Sequence, residues 1–270
     1  MADEDQRNDV DARRYACTST SERGGSQPIS VTVAWHPTGT HRARTAELAG
    51  YLDDAERKRL QGLRRAQDRW SYAAAHALLR MLLTERFGGH PGQWRFIRDA
   101  RDRPAVDSSF HPGAVLPFSL SHTEDLAVCA LVDAPESADA SASVRVGIDV
   151  EKTARSVRVL ELAERFFAPE EAQLLRLIEG QPRQETFYRF WTFKEAMAKA
   201  LGVGLDVDLA DLRCNLEPLE VTSAGDDLLP LNGWKLIDLD LLDGYISTLA
   251  IHRLASASVE LTLRPVSSFS

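Results

Sequence analysis

The chain has 270 residues, 44% apolar and 27% charged, a composition that excludes wholesale disorder and allows one large domain or two small ones. Its formal net charge of −8 argues against a general nucleic-acid or membrane-surface binder, because phosphate-rich partners need compensating positive charge. Cys17, Cys129 and Cys214 are scattered without paired spacing, which excludes a disulfide framework and a thiolate zinc site and fits a reducing cytoplasm.

Residues 1–27 are polar and lack either hydrophobic period, so a disordered extension is expected there. Its acidic start precedes no apolar stretch, no run of 18 apolar residues follows anywhere, and neither secretion nor a membrane span is predicted. Ile29, Val31, Val33 and Trp35 alternate as in a half-buried strand. From 45 to 87 the apolar residues recur at helical spacing, with a break near Gly62 and a stop at Gly88-Gly89-His90-Pro91-Gly92. Arg57, Lys58, Arg59, Arg64, Arg65 and Arg69 make this stretch basic against an acidic background, as a solvated helix face or as an anion-binding surface.

A short strand is predicted over 93–97, then a turn at 102–104 and strands over 118–121 and 126–132. Residues 133–143 have a linker composition, and the boundary between two lobes, 28–143 and 144–270, is placed there. Beyond it the pattern predicts a strand over 144–150, helices between 157 and 180 with Pro169 in a first turn, a longer helix over 184–201 stopped by Gly202, and strands over 234–239, 245–251 and 259–263. The fold class expected is α+β.

In Gly147-Ile148-Asp149-Val150-Glu151 the strand period sets Asp149 and Glu151 on one side. Neighbouring carboxylates repel, so the pair suits either a hard cation such as Mg²⁺ or a solvated acidic strand end. Along the later helix Tyr188, Thr192, Glu195 and Lys199 share one face, either as a site or as a surface Glu–Lys pair. Phe118-Ser119-Leu120-Ser121-His122 delivers a serine and a histidine at a strand end, and no nucleophile elbow, P-loop or dinucleotide fingerprint accompanies it.

Those three segments, in that order with Trp191-Thr192-Phe193-Lys194-Glu195-Ala196-Met197-Ala198-Lys199 as the third, resemble the surfactin-type (Sfp-like) 4′-phosphopantetheinyl transferases. Asp102-Arg103-Pro104, Arg165-Phe166-Phe167 and Gly202-Val203-Gly204-Leu205 look like the same family, and the likeness covers about residues 29–255. It implies two pseudo-symmetric α+β lobes in one chain, a monomer, with coenzyme A bound in the cleft between them. It further implies transfer of phosphopantetheine to a serine of an acyl or peptidyl carrier protein of polyketide or nonribosomal peptide synthesis, with 3′,5′-ADP leaving. Asp149, Glu151 and Glu195 would ligate Mg²⁺, Glu195 would accept the serine proton, and Lys199 would place a cation at the phosphates. Ser121, His122, Arg103 and Lys194 would contact coenzyme A, with Arg59 and Arg69 at its 3′-phosphate.

Overall fold

The computed structural model describes residues 13–17, 28–37, 45–99, 103–114, 116–133, 144–202, 208–224, 232–253 and 258–269. In chain order the elements are β1 (Arg13–Cys17), β2 (Ile29–Pro37), α1 (Thr45–Ala49), α2 (Asp54–Gly62), α3 (Ala66–Phe87), β3 (Phe96–Arg98), β4 (Pro104–Val106), β5 (Phe118–Thr123) and β6 (Leu126–Val132). They continue with β7 (Arg145–Lys152), α4 (Val159–Phe166), α5 (Pro169–Leu177), α6 (Gly180–Leu201), β8 (Leu212–Leu216), β9 (Leu219–Ala224), β10 (Trp234–Leu239), β11 (Tyr245–His252) and β12 (Val259–Pro265).

The class is α+β. Strand, long helix, small hairpin and two further strands occur twice. In the first unit the order β2-β6-β5 sets the last strand beside the first, and β7-β11-β10 does the same in the second. The hairpins β3–β4 and β8–β9 stand apart as two-stranded sheets. Helix α2 begins with a full capping box: Asp53 accepts from the Glu56 amide and Glu56 accepts from the Asp53 amide. It stops at Gly62, where the helical period breaks.

Four layers result, α3, the β2 sheet, the β7 sheet and α6, and three apolar cores lie between them. Ala127, Cys129 and Leu131 of β6 face α3. Val128, Ala130 and Val132 face the opposite way and meet Val146, Ile148 and Val150 of β7. Ala250 of β11 lies against Phe193, Ala196 and Met197 of α6. A strand covered on both faces needs apolar residues throughout, which is why β6 reads Leu-Ala-Val-Cys-Ala-Leu-Val.

Three differences from the sequence expectations stand out. Strand β12 does not stay with the second unit: it pairs parallel with β2, Val259 opposite Ile29, so the division at 133–143 is crossed by the last strand. Residues 13–17, inside the expected disordered extension, form β1 along the outer edge of β12. The strand expected over 93–97 is displaced, because Pro91–Gln93 is a 3-10 turn and pairing begins at Phe96. Of the expected linker only Asp133 is among the described residues, and Asp102 and 203–205 also lie outside them.

Candidate functional site

The site forms where α6 crosses β7. Asp149 and Glu151 share the β7 face that meets the helix, and Gly147, two residues earlier on that face, makes the contact possible: a side chain there would run into the backbone of Ala196 and Ala200. Glycine lets the two backbones touch. The crossing sets Lys199 Nζ 2.7 Å from Asp149 Oδ1 and 2.9 Å from the Ile148 carbonyl.

Asp149 is buried, and its second oxygen, Oδ2, has no hydrogen-bond partner among the described residues. Its charge reaches both neighbouring carboxylates. Burial first, then Asp149, pushes Glu151 up to about 7, against the opposing charges of Arg155 and Lys199. Glu195 is raised by the same two causes in the same order, with Lys199 opposing. The two shifts report that the three carboxylates lie within electrostatic reach of one another. Among the described residues, no group of three His, Cys, Asp or Glu side chains forms a ready-made metal cage.

Strand β5 brings the serine and the histidine, on opposite faces. Ser121 Oγ donates to Asp149 Oδ1 at 2.8 Å. His122 turns to α3, where its Nδ1 lies 3.1 Å from Ser71 Oγ and its ring meets Tyr72 edge-on. The residue keeps exposed surface, yet crowding by protein atoms, followed by the charges of Lys199 and His76, holds the imidazole down at about 4. The imidazole is therefore neutral at physiological pH in the free protein.

The other residues singled out in the sequence divide into two groups. Arg59 is exposed, forms no hydrogen bond with a described residue, and its charge reaches both Tyr72 and His122, so it faces the same region. Arg69 is turned back onto the end of α2, donating to the Leu63 carbonyl at 2.8 Å. Arg103 pairs with Asp99 at 2.7 Å and donates to the Ala200 carbonyl at 3.4 Å, capping α6 from the first unit. Lys194 is fully buried on the far side of α6, 2.7 Å from Glu171 and donating to the Leu209 and Leu212 carbonyls. It is not among the groups brought together at the crossing.

The 4′-phosphopantetheinyl transferase superfamily model matches residues 145–249, from the first residue of β7 into β11. Over 80% of its length the chain is 30% identical to 4′-phosphopantetheinyl transferase HetI of Nostoc sp., and it covers 84% of that protein. The chain belongs to the 4′-phosphopantetheinyl transferase superfamily. The transferase is also 31% identical to human L-aminoadipate-semialdehyde dehydrogenase-phosphopantetheinyl transferase over 63% of its own length, spanning 54% of that protein. A crystal structure of Thermotoga maritima holo-[acyl-carrier-protein] synthase shares 24% identity at a TM-score of 0.35, covering 41% of this chain and 64% of that one.

Three residues beside the candidate site carried little signal in the sequence. Ser119 and Thr123 flank Ser121 at strand spacing, and that alternation of hydroxyls was the available clue. Arg155, whose charge bears on Glu151, lies in a loop without periodicity. Tyr188 Oη donates to the Arg155 carbonyl at 2.8 Å and Gln184 Nε2 to the same carbonyl at 2.8 Å, so α6 holds the loop that follows the carboxylates.

Proposed function

We propose that the enzyme moves the 4′-phosphopantetheine of coenzyme A onto a serine of an acyl or peptidyl carrier protein, in the manner of the surfactin-type branch and serving polyketide or nonribosomal peptide synthases. The observation that carries this reading is the convergence of Asp149, Glu151, Glu195 and Lys199 where β7 passes under α6.

The donor chemistry suits a hard cation, although the three carboxylates are within electrostatic reach of one another and not gathered into a cage: no sulfur is among them, and Asp149 Oδ2 is buried without a partner among the described residues. Asp149, Glu151 and Glu195 would hold Mg²⁺, which when bound neutralises charge on the pyrophosphate. Lys199 supplies a fixed cation beside the same oxygens. His122 and Arg59 face the phosphates from the first unit, and an anion docked against His122 raises the imidazole's affinity for a proton. Arg103 borders the nucleotide region while capping α6.

In the reaction the carrier serine Oγ forms a bond to the β-phosphorus of coenzyme A. The bond from that phosphorus to the bridging oxygen breaks, and 3′,5′-ADP leaves with the electron pair. Glu195 accepts the serine proton, directly or through a water. The proposed active species is a monomer, since one chain supplies every group named, in a reducing cytoplasm, which the scattered cysteines suit.

The test is incubation with coenzyme A, Mg²⁺ and a panel of apo-carrier proteins, read by intact mass. Conversion of at least one carrier, abolished by EDTA and restored by Mg²⁺, is the expected result. Release of 3′,5′-ADP in the absence of any carrier would instead identify a hydrolase. Transfer indifferent to EDTA would remove the metal.

A further inference from the structure

Strand β5 meets β7 with a face, not with an edge. Phe118, Leu120 and His122 turn towards α3. Ser119, Ser121 and Thr123 alternate with them, are buried, and turn towards β7. Strand β11 occupies one edge of β7, so Ile148 and Val150 direct their amides to the opposite edge, where none of the described strands pairs. Buried amides need a partner.

The hydroxyls of β5 supply it. Ser119 Oγ accepts from the Ile148 amide at 3.0 Å, and Ser121 Oγ accepts from the Val150 amide at 3.3 Å. A serine that accepts still has a proton to give, and Ser121 gives it to Asp149 Oδ1 at 2.8 Å. Thr123 Oγ1 donates to Glu151 Oε2 at 3.4 Å. The Ile148 carbonyl, on the same edge, is taken by Lys199 at 2.9 Å. Both strands advance with a period of two, so each step along β5 meets the next step along β7.

We propose that Ser119, Ser121 and Thr123 form a hydroxyl ladder that stands in for a missing β-strand along β7 and fixes the direction of the Asp149 and Glu151 carboxylates. Ser119 and Thr123 are positioning residues: one seats the strand, the other orients a carboxylate. The Thr123 part rests on the reading of Glu151 as a cation ligand. The Ser119 part does not.

Two measurements on the full chain test the ladder without depending on transfer. Ser119→Ala is expected to speed amide hydrogen exchange at Ile148 by about tenfold or more while distant β6 amides stay protected. Should that variant fail to fold, Ser119→Cys keeps the size with a weaker acceptor and is expected to show a smaller increase at the same amide. Thr123→Val is expected to weaken Mn²⁺ binding, read by electron paramagnetic resonance, about five- to tenfold, and Thr123→Ser to restore it. Unchanged Ile148 exchange in the Ser119 variants would overturn the strand-substitute role. Equal Mn²⁺ affinity in Thr123→Val and the unmodified protein would overturn the carboxylate role. If the unmodified protein binds no Mn²⁺, the cation reading and the Thr123 role fall together, and exchange at Ile148 alone decides the role of Ser119.

Discussion

Gly147 lies so close beneath Ala196 that a Cβ on it would sit 1.9 Å from the Ala196 carbonyl oxygen and 2.7 Å from the Ala200 amide nitrogen. The neighbouring atoms are backbone and cannot swing aside. Gly147→Ala is expected to lift α6 from β7, with a loss of about 1–3 kcal/mol in thermal or denaturant unfolding. Transfer should fall further than stability explains, since Glu195 and Lys199 ride on the displaced helix. A variant of wild-type stability and activity would show that the crossing can relax.

Lys199 neutralises Asp149 across the same crossing. Lys199→Met removes the charge while keeping the bulk of the stem; it leaves buried Asp149 without its cation, so stability should fall and transfer is compared at a temperature where the variant is folded. Transfer should drop about 10²–10³-fold, the usual effect of deleting one electrostatic stabiliser of a transition state. Circular dichroism establishes the fold and the carrier mass shift reads the rate. Loss below tenfold would assign the phosphate charge to another group.

Lys194 and Glu171 separate a structural contribution from a binding one. Breaking a buried pair by Lys194→Met should cost about 3–5 kcal/mol, because Glu171 is left charged and buried. The double variant Lys194→Met, Glu171→Leu removes both charges and should regain part of that loss, because the Ala168 and Cys214 amides that Glu171 accepts from lose their partner. Its KM for coenzyme A should equal that of the unmodified enzyme. A raised KM in the stable double variant would return Lys194 to the coenzyme A site, where the sequence resemblance puts it.

Glu56 governs the behaviour in acid. Burial alone would raise its carboxyl, but the hydrogen bond and charge of His76 at 2.7 Å and the charge of Arg80 outweigh it and hold Glu56 at about 2, below the ordinary value of 4.5. A carboxyl whose folded pKa is depressed gives stability that is complete above its unfolded pKa and lost as pH falls through the folded one. Stability should therefore decline between pH 4.5 and about 2, by on the order of 3 kcal/mol from this group. Denaturant titrations across that window, compared with Glu56→Gln, measure it, and the variant should show a shallower slope.

Two arginines from the basic stretch should part company. Arg59 faces Tyr72 and His122, so Arg59→Ala should raise KM for coenzyme A several-fold, about the effect of losing one charge-assisted hydrogen bond. Arg69 is occupied in tying α3 to the end of α2. Arg69→Ala should lower the melting temperature and leave KM near wild type. Steady-state kinetics with both variants would decide, and the opposite pattern would exchange their roles.

Much of this architecture is legible in the sequence because local periodicity fixes it. The unbroken apolar run of β6 reads as a doubly covered strand, and the strand period of 144–150 puts Asp149 and Glu151 on the side where the helix lies. The helix period likewise groups Glu195 with Lys199. Long-range partnership is another matter. Val259, Leu261 and Leu263 alternate correctly, but alternation does not say which sheet receives them, and they join β2. Residues 13–17 have no apolar alternation, and their order comes from β12. Lys194 and Glu195 are neighbours on a helix, and only the positions of Glu171 and the Leu209 carbonyl decide that the first is interior.

The placement of β12 bears on how the protein is made. Val33 gains its parallel neighbour Leu263 only after the whole second unit, which lies between them in the chain, has been made. Until then β2 shows an unpaired edge beside the Val31 and Val33 face of the central core. The amino-terminal half thus emerges as an incomplete sheet, exposed to chaperones and to self-association during synthesis. The strand that seals it follows the second unit in the chain.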